Sequence, residues 1–175
     1  DVAATLTGQT GRWTDAQTYV VNAVVADVDI DVDAVRIDII GAHDVAGNLQ
    51  ADHEATVGLE IDTVNPSTVG APTVSVDLVT AGLVTDADAG STLTVSFSFD
   101  EVMDVAVLPT VTFDPDVEST LTGQTGSWTD PQTFVVEALV ADAGVDVDAV
   151  TVDITGARDF VGNLQQDHTA TVGLE

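Results

Sequence analysis

In the stretch Leu93-Thr-Val-Ser-Phe-Ser-Phe99 every odd position is large and apolar, and every even one is Thr or Ser. A period of two puts these sets on opposite faces of a strand, one buried and one wet. The same alternation places Val74, Val76 and Leu78 against Ser75 and Asp77, and Val111 and Phe113 against Thr112 and Asp114. It also places Val150, Val152 and Ile154 against Thr151, Asp153 and Thr155. Phe134 to Val140 is more continuously apolar and reads as a central strand. The richness in Val, Thr and Ile agrees, and no stretch has a helical period. The pattern predicts strands A 73–79, B 92–99, C 110–114, D 119–123, E 132–141, F 147–155 and G 168–174, with a short piece at Ser127–Thr129 extending the D–E turn.

Seven alternating strands in roughly 100 residues are the signature of an immunoglobulin-like antiparallel β-sandwich, here without the Cys–Trp–Cys pattern of antibodies. Trp128 and its copy Trp13 read as core or turn packing. The fold class expected is all-β, an Ig-like sandwich in tandem repeats with about seven strands per full unit. The repetition is direct: residues 5–60, opening TLTGQTGRWTD, return as residues 120–175, opening TLTGQTGSWTD, at a constant offset of 115 and with 40 of 56 positions identical. Self-similarity at a fixed period marks an array of structural units. Residues 61–175 then form a complete repeat. Residues 1–60 carry only the second half of one, with D at 5–8, E at 17–26, F at 32–40 and G at 53–59. The half repeat lacks strands from both sheets, and its open edges call for completion. Two expectations follow: a window cut from a longer tandem array, or a half repeat completed by strands of a neighbouring chain.

Composition narrows the function. Lys+Arg number 3 against 30 Asp+Glu, a formal net charge of −27, and the only cations are Arg12, Arg36 and Arg158. Nucleic acids and anionic membranes both require clustered Lys and Arg, so neither is an expected partner. No apolar run is long enough to span a bilayer, and membrane insertion is not expected. Cysteine is absent, which suits a secreted protein stabilised by core size, metal or assembly rather than by disulfides.

The acids cluster in predicted loops. At one pole of the sandwich the E–F turn supplies Asp27, Asp29, Asp31 and Asp33, recurring as Asp142, Asp146 and Asp148. The A–B loop there adds Asp86 and Asp88, and the C–D loop adds Asp114, Asp116 and Glu118. At the other pole the B–C loop carries Asp100, Glu101 and Asp104, and the F–G loop carries Asp159 and Asn163, recurring from Asp44 and Asn48. The connector between units holds Glu60 and Asp62. Stacked end to end, the units bring acidic poles together across an acidic connector. Carboxylates about 4 Å apart repel by roughly 4 kcal/mol at an effective dielectric near 20. Calcium relieves this best, because it accepts six to eight oxygens in irregular loops. Zinc prefers His and Cys, and no EF-hand loop is present. A plainer reading keeps the loops metal-free, with the acids serving solubility in salty water and Asp159 and Asn163 as turn formers.

The connector Ile61-Asp62-Thr63-Val64-Asn65-Pro66, the FDEVMD after strand B and the DFVGN before strand G resemble the bacterial Ig-like repeats of giant surface adhesins, of the repeats-in-toxin or biofilm type. The resemblance covers the whole repeat and its half copy. It implies an extender region at the cell surface or in the extracellular space, in which calcium at the junctions stiffens the array into a rod. Matching the junction pattern puts Glu60, Asp62, Asp100, Glu101, Asp104, Asp159 and Asn163 at the metal. One departure is Arg158, where the partial copy has His43, a cation beside the site. The partners implied are neighbouring Ig-like repeats of the same or an identical chain.

Other functions find less support. His53 and His168 are copies at the start of strand G and read as surface or structural, and His43 has no counterpart. No nucleophile elbow, zinc signature or phosphate loop is present, so neither catalysis nor a small-molecule substrate is expected. An adhesin head would need an aromatic platform, and aromatic residues make up 5% of the chain. A self-assembling extracellular filament, its half repeat completed by a neighbour's strands, is the alternative to an extender.

Overall fold

The computed structural model describes residues 2–77, 79–80, 82–147 and 149–174. Leu78 and Asp148, expected in strand A and in the E–F turn, lie outside the described residues. The chain is predominantly β with antiparallel pairing throughout, and it divides into two compact units at Val64/Asn65.

In the second unit, β5 (Thr73–Val76), β6 (Val79–Thr80), β7 (Thr92–Ser98), β9 (Leu121–Asp130) and β10 (Thr133–Val140) form one sheet, ordered β6-β5-β7-β10-β9. A second sheet holds β8 (Thr110–Asp114), β11 (Val150–Thr155) and β12 (Thr169–Leu174), ordered β12-β11-β8. The alternating positions face inward as their period demands. Leu93, Val95, Phe97, Phe134, Val136 and Val140 from the first sheet join Val152 and Ile154 from the second in a single buried apolar cluster. Trp128 packs against it, edge-on to Phe134 at a centroid distance of 5.1 Å, and its Nε1–H donates to the carbonyl of Val107 at 2.9 Å.

Two elements differ from the expected pattern. Strand A breaks into β5 and β6 around Asp77, whose φ of +46° bends the chain back on itself, and the Asp77 carboxylate accepts the Thr92 N–H at 2.9 Å. Strand D and the short piece at Ser127–Thr129 are one long strand, β9. It stays paired with β10 through a bulge between Thr122 and Thr125, where Gly123 takes a φ of +64°. A glycine in the left-handed region lets one strand hold an extra residue without breaking the ladder.

The first unit opens with a short helix, α1 (Val2–Thr5), followed by the hairpin β1 (Leu6–Trp13) with β2 (Tyr19–Val25) and the pair β3 (Asp31–Asp38) with β4 (Glu54–Asp62). Its pairings reproduce those of the second unit at the 115-residue offset. Leu6 faces Val25 as Leu121 faces Val140, Trp13 faces Tyr19 as Trp128 faces Phe134, and Asp38 faces Glu54 as Asp153 faces Thr169. The bulge recurs as well, with Gly8 at +59°.

Candidate functional site

At one end of the second unit one loop is hydrogen-bonded to two others. The Met103 N–H donates to Pro131 O, the Asp104 N–H to Arg158 O, and the Phe160 N–H to Val102 O, at 2.8 to 3.1 Å. These contacts gather the B–C, D–E and F–G loops at one pole. The start of the unit is fastened there too. The Asp100 carboxylate accepts both the N–H and the hydroxyl of Ser67, at 2.8 and 2.5 Å, and the Gln166 N–H donates to Pro66 O at 2.8 Å.

Within this pole the carboxylate oxygens of Glu101 and Asp159 lie within 4.8 Å of each other. Asp159 is buried at 1% exposure. One of its oxygens accepts the N–H groups of Val161, Gly162 and Asn163 at 2.6 to 2.9 Å, and the other accepts the Asn163 side-chain amide at 2.7 Å. The D-x-x-G-N pattern thus folds its loop around its own carboxylate, with Gly162 at a φ of +105°. The first unit repeats the loop: Asp44 accepts the N–H groups of Ala46 and Asn48 and the Asn48 amide at 2.8 to 2.9 Å. Those bonds, the Asn48 amide first, hold the Asp44 carboxyl below the usual carboxylate range.

The connector end of the first unit carries a second acidic pair. Asp31 and Asp62 are cross-strand partners at the ends of β3 and β4, where like charges facing each other are unfavourable. The Asp62 carboxylate accepts the Val64 N–H at 3.0 Å, and the segment is pinned by mutual bonds between Thr63 and Ile30. Glu60 sits in β4 on an exposed position.

The remaining candidates scatter. Asp104 accepts the Ala106 N–H at 3.0 Å and acts as a turn former, and Asp100 is committed to Ser67. Asp86 and Asp88 lie on a short 3-10 turn, where Asp88 accepts the Thr85 N–H and hydroxyl at 2.8 and 2.9 Å. Asp27 and Asp29 lie in the loop after β2, Asp29 with a φ of +52°. Among the described residues, Asp27, Asp29, Asp86 and Asp88 belong to no cluster of three acidic side chains at coordination distance. Asn163 spends its amide on Asp159, and the Arg158 guanidinium folds back on its own loop, donating to Gly162 O at 2.7 Å.

Two features escaped the sequence. Gln165 is a buried brace: its carbonyl oxygen accepts the Ala157 N–H at 2.9 Å and its amide donates to Ile154 O at 2.7 Å. Gln50 repeats this with Ala42 and Ile39, and the signal was the exact return of G-N-L-Q in both copies. Ser67, the partner of Asp100, carries no motif at all. His168 sits edge-on to Phe97 at 5.8 Å and 3.7 Å from Asp153. Among the described residues, no helix is long and apolar enough to cross a membrane. No family model, curated protein or solved structure was found to match the chain.

Proposed function

We propose that this chain is a structural extender segment of a large bacterial cell-surface or extracellular adhesin, made of tandem Ig-like sandwiches and stiffened by calcium at its acidic junctions. The two sheets, in the lettered scheme A-B-E-D and G-F-C, have the strand order of an Ig constant-type sandwich, which supports the resemblance carried by the connector and loop motifs. The observation that carries the metal reading is the approach of Glu101 to the buried Asp159 at the pole where residues 66–67 are fastened.

The donor set fits calcium. Calcium–oxygen bonds run 2.3–2.6 Å, so oxygens no more than 4.8 Å apart are within reach of one ion. All the candidates are oxygen donors, and the repulsion between two carboxylates at that spacing is roughly 3 kcal/mol at an effective dielectric near 20. Glu101 and Asp159 would hold the ion, with Glu60 and Asp62 as connector ligands. Asp62 lies four residues before Pro66, a span of about 13 Å of extended chain.

The protein's own groups do the positioning. The Asp159 loop fixes one carboxylate through four N–H donors, and Asp100 clamps the start of the second unit, just past the connector, through Ser67. Calcium supplies the charge that lets the acids share one place. An ion taking ligands from both sides of Val64 restricts bending there. Solution scattering of the Asp62→Ala chain tests this. In calcium its profile should match that of the chelated parent, whereas a profile unchanged from the calcium-loaded parent refutes a connector ligand at residue 62.

A further inference from the structure

Residues 65–69 open the second unit ahead of β5, and they are bonded on both flanks. On one flank they run antiparallel to the end of β7 and the turn after it. Thr68 faces Phe99, the Asp100 N–H donates to Ser67 O at 3.0 Å, and the Val69 N–H donates to Ser98 O at 2.7 Å. The Asp100 carboxylate adds the N–H and the hydroxyl of Ser67, at 2.8 and 2.5 Å. On the other flank the Gln166 N–H donates to Pro66 O at 2.8 Å, and the Gln166 side-chain amide reaches Asn65 O at 3.5 Å. Pro66 itself is fully buried.

The two flanks lead into different sheets. β7 lies inside the sheet β6-β5-β7-β10-β9, whereas residue 166 runs on into β12 of the sheet β12-β11-β8. Gly70, with a φ of +72°, then divides the segment from β5. From the Thr68–Phe99 pair to the Thr73–Ser96 pair the chain advances by more residues on this side than on β7, so the ladder is interrupted there. The residues ahead of Gly70 therefore make a short lock of their own.

We propose that residues 65–69 are a force-bearing clamp, the element that sets the load at which the second unit yields when it is pulled through its connector. The bonds of an antiparallel pair lie perpendicular to the strands. Tension along the chain at Asn65 therefore loads the Ser67 and Val69 bonds in shear, together with the Gln166 bond, and they must fail at once. A peeled edge would lose its bonds one at a time. Asp100 is the hub, because its carboxylate holds Ser67 through both backbone and side chain, and hydrogen bonds to an ionised group are the stronger class. Since the pulled segment is tied toward both sheets, the load passes into the sandwich as a whole. The use of such a clamp rests on the extender reading, because tension reaches the unit only in a tethered chain. Its strength rests on no metal.

The test stretches the full chain between handles at its two ends, at constant load and in chelator. Rupture of the second unit is marked by a step of roughly 350 Å, the drawn-out length of residues 65–175. Asp100→Ala should shorten the lifetime under load by about tenfold or more, the loss expected of hydrogen bonds to a charged group. Ser67→Ala keeps every backbone bond of the clamp and should shorten it by a smaller factor. Ile154→Val thins the buried core without touching the clamp. It should lower the denaturant midpoint and leave the lifetime under load within about twofold of the parent's. Chelator keeps the two readings apart: a junction without calcium leaves these ratios as they are, and a failed clamp leaves calcium-dependent melting as it is. Should Asp100→Ala not fold, Ser67→Ala set against Ile154→Val decides. Clamp variants that last as long under load as the parent, or an Ile154→Val chain that ruptures as early as they do, overturn the proposal.

Discussion

Asp159 has two tasks that substitution separates. It holds its loop through three backbone N–H groups and the Asn163 amide, and it faces Glu101. Asp159→Ala removes the buried carboxylate that those part-buried donors share and should cost about 1–3 kcal/mol with or without calcium. Glu101→Gln removes a charge from the metal side alone. Its melting point in chelator should equal or exceed that of the parent, and its response to calcium should shrink. In the first unit the depressed Asp44 carboxyl makes a pH prediction. Its folded value lies below that of an ordinary aspartate, so its stabilising contribution is complete above the ordinary value and is lost as pH falls through the folded one. Carboxyl NMR titration should find the Asp44 midpoint moving upward in Asn48→Ala. At this scale the sequence was half legible. D-x-x-G-N announced a turn around its own Asp, but FDEVMD offers three acids in five residues. Only the loop conformation decides that Asp100 turns to Ser67, Asp104 to its own turn, and Glu101 to Asp159.

Strands were the most legible elements, because alternation over four or more residues leaves one consistent assignment of faces. The exceptions have local causes. In the sequence strand A reads as continuous through Asp77, whose positive φ is rare for a residue with a Cβ and leaves no mark in a hydrophobic pattern. Strand D reads in the sequence as ending at 123, because a glycine bulge has the same local signature as a turn. The long hairpin β9–β10 also depends on Gly126, where a Cβ would meet the Phe134 ring at 2.5 Å. Gly126→Ala should displace Phe134 from beside Trp128 and destabilise the second unit by about 1–3 kcal/mol, measured by denaturant unfolding with near-UV circular dichroism as the probe. The corresponding Gly11→Ala meets the Tyr19 ring at the open face. There the ring has room to move, and the effect should be smaller.

For the whole molecule, duplication was plain in the sequence, but its consequence for burial was not. The same residues are core in one unit and surface in the other, depending on whether residues 65–118 cover them. Backbone amides of β2 and β3 should therefore exchange with deuterium faster than their equivalents in β10 and β11, by the difference between one and two paired edges. The organising claim at this scale is that calcium joins the acids flanking Val64 and Asn65. Calorimetric melting of the chain, in calcium at a hundredfold excess over its dissociation constant and then in chelator, addresses that claim directly. Binding to the folded form alone contributes about 2.7 kcal/mol, so a calcium-bridged junction predicts that chelation lowers the melting temperature of the second unit by about 10 °C or more. Superimposable melting curves in calcium and chelator would contradict it.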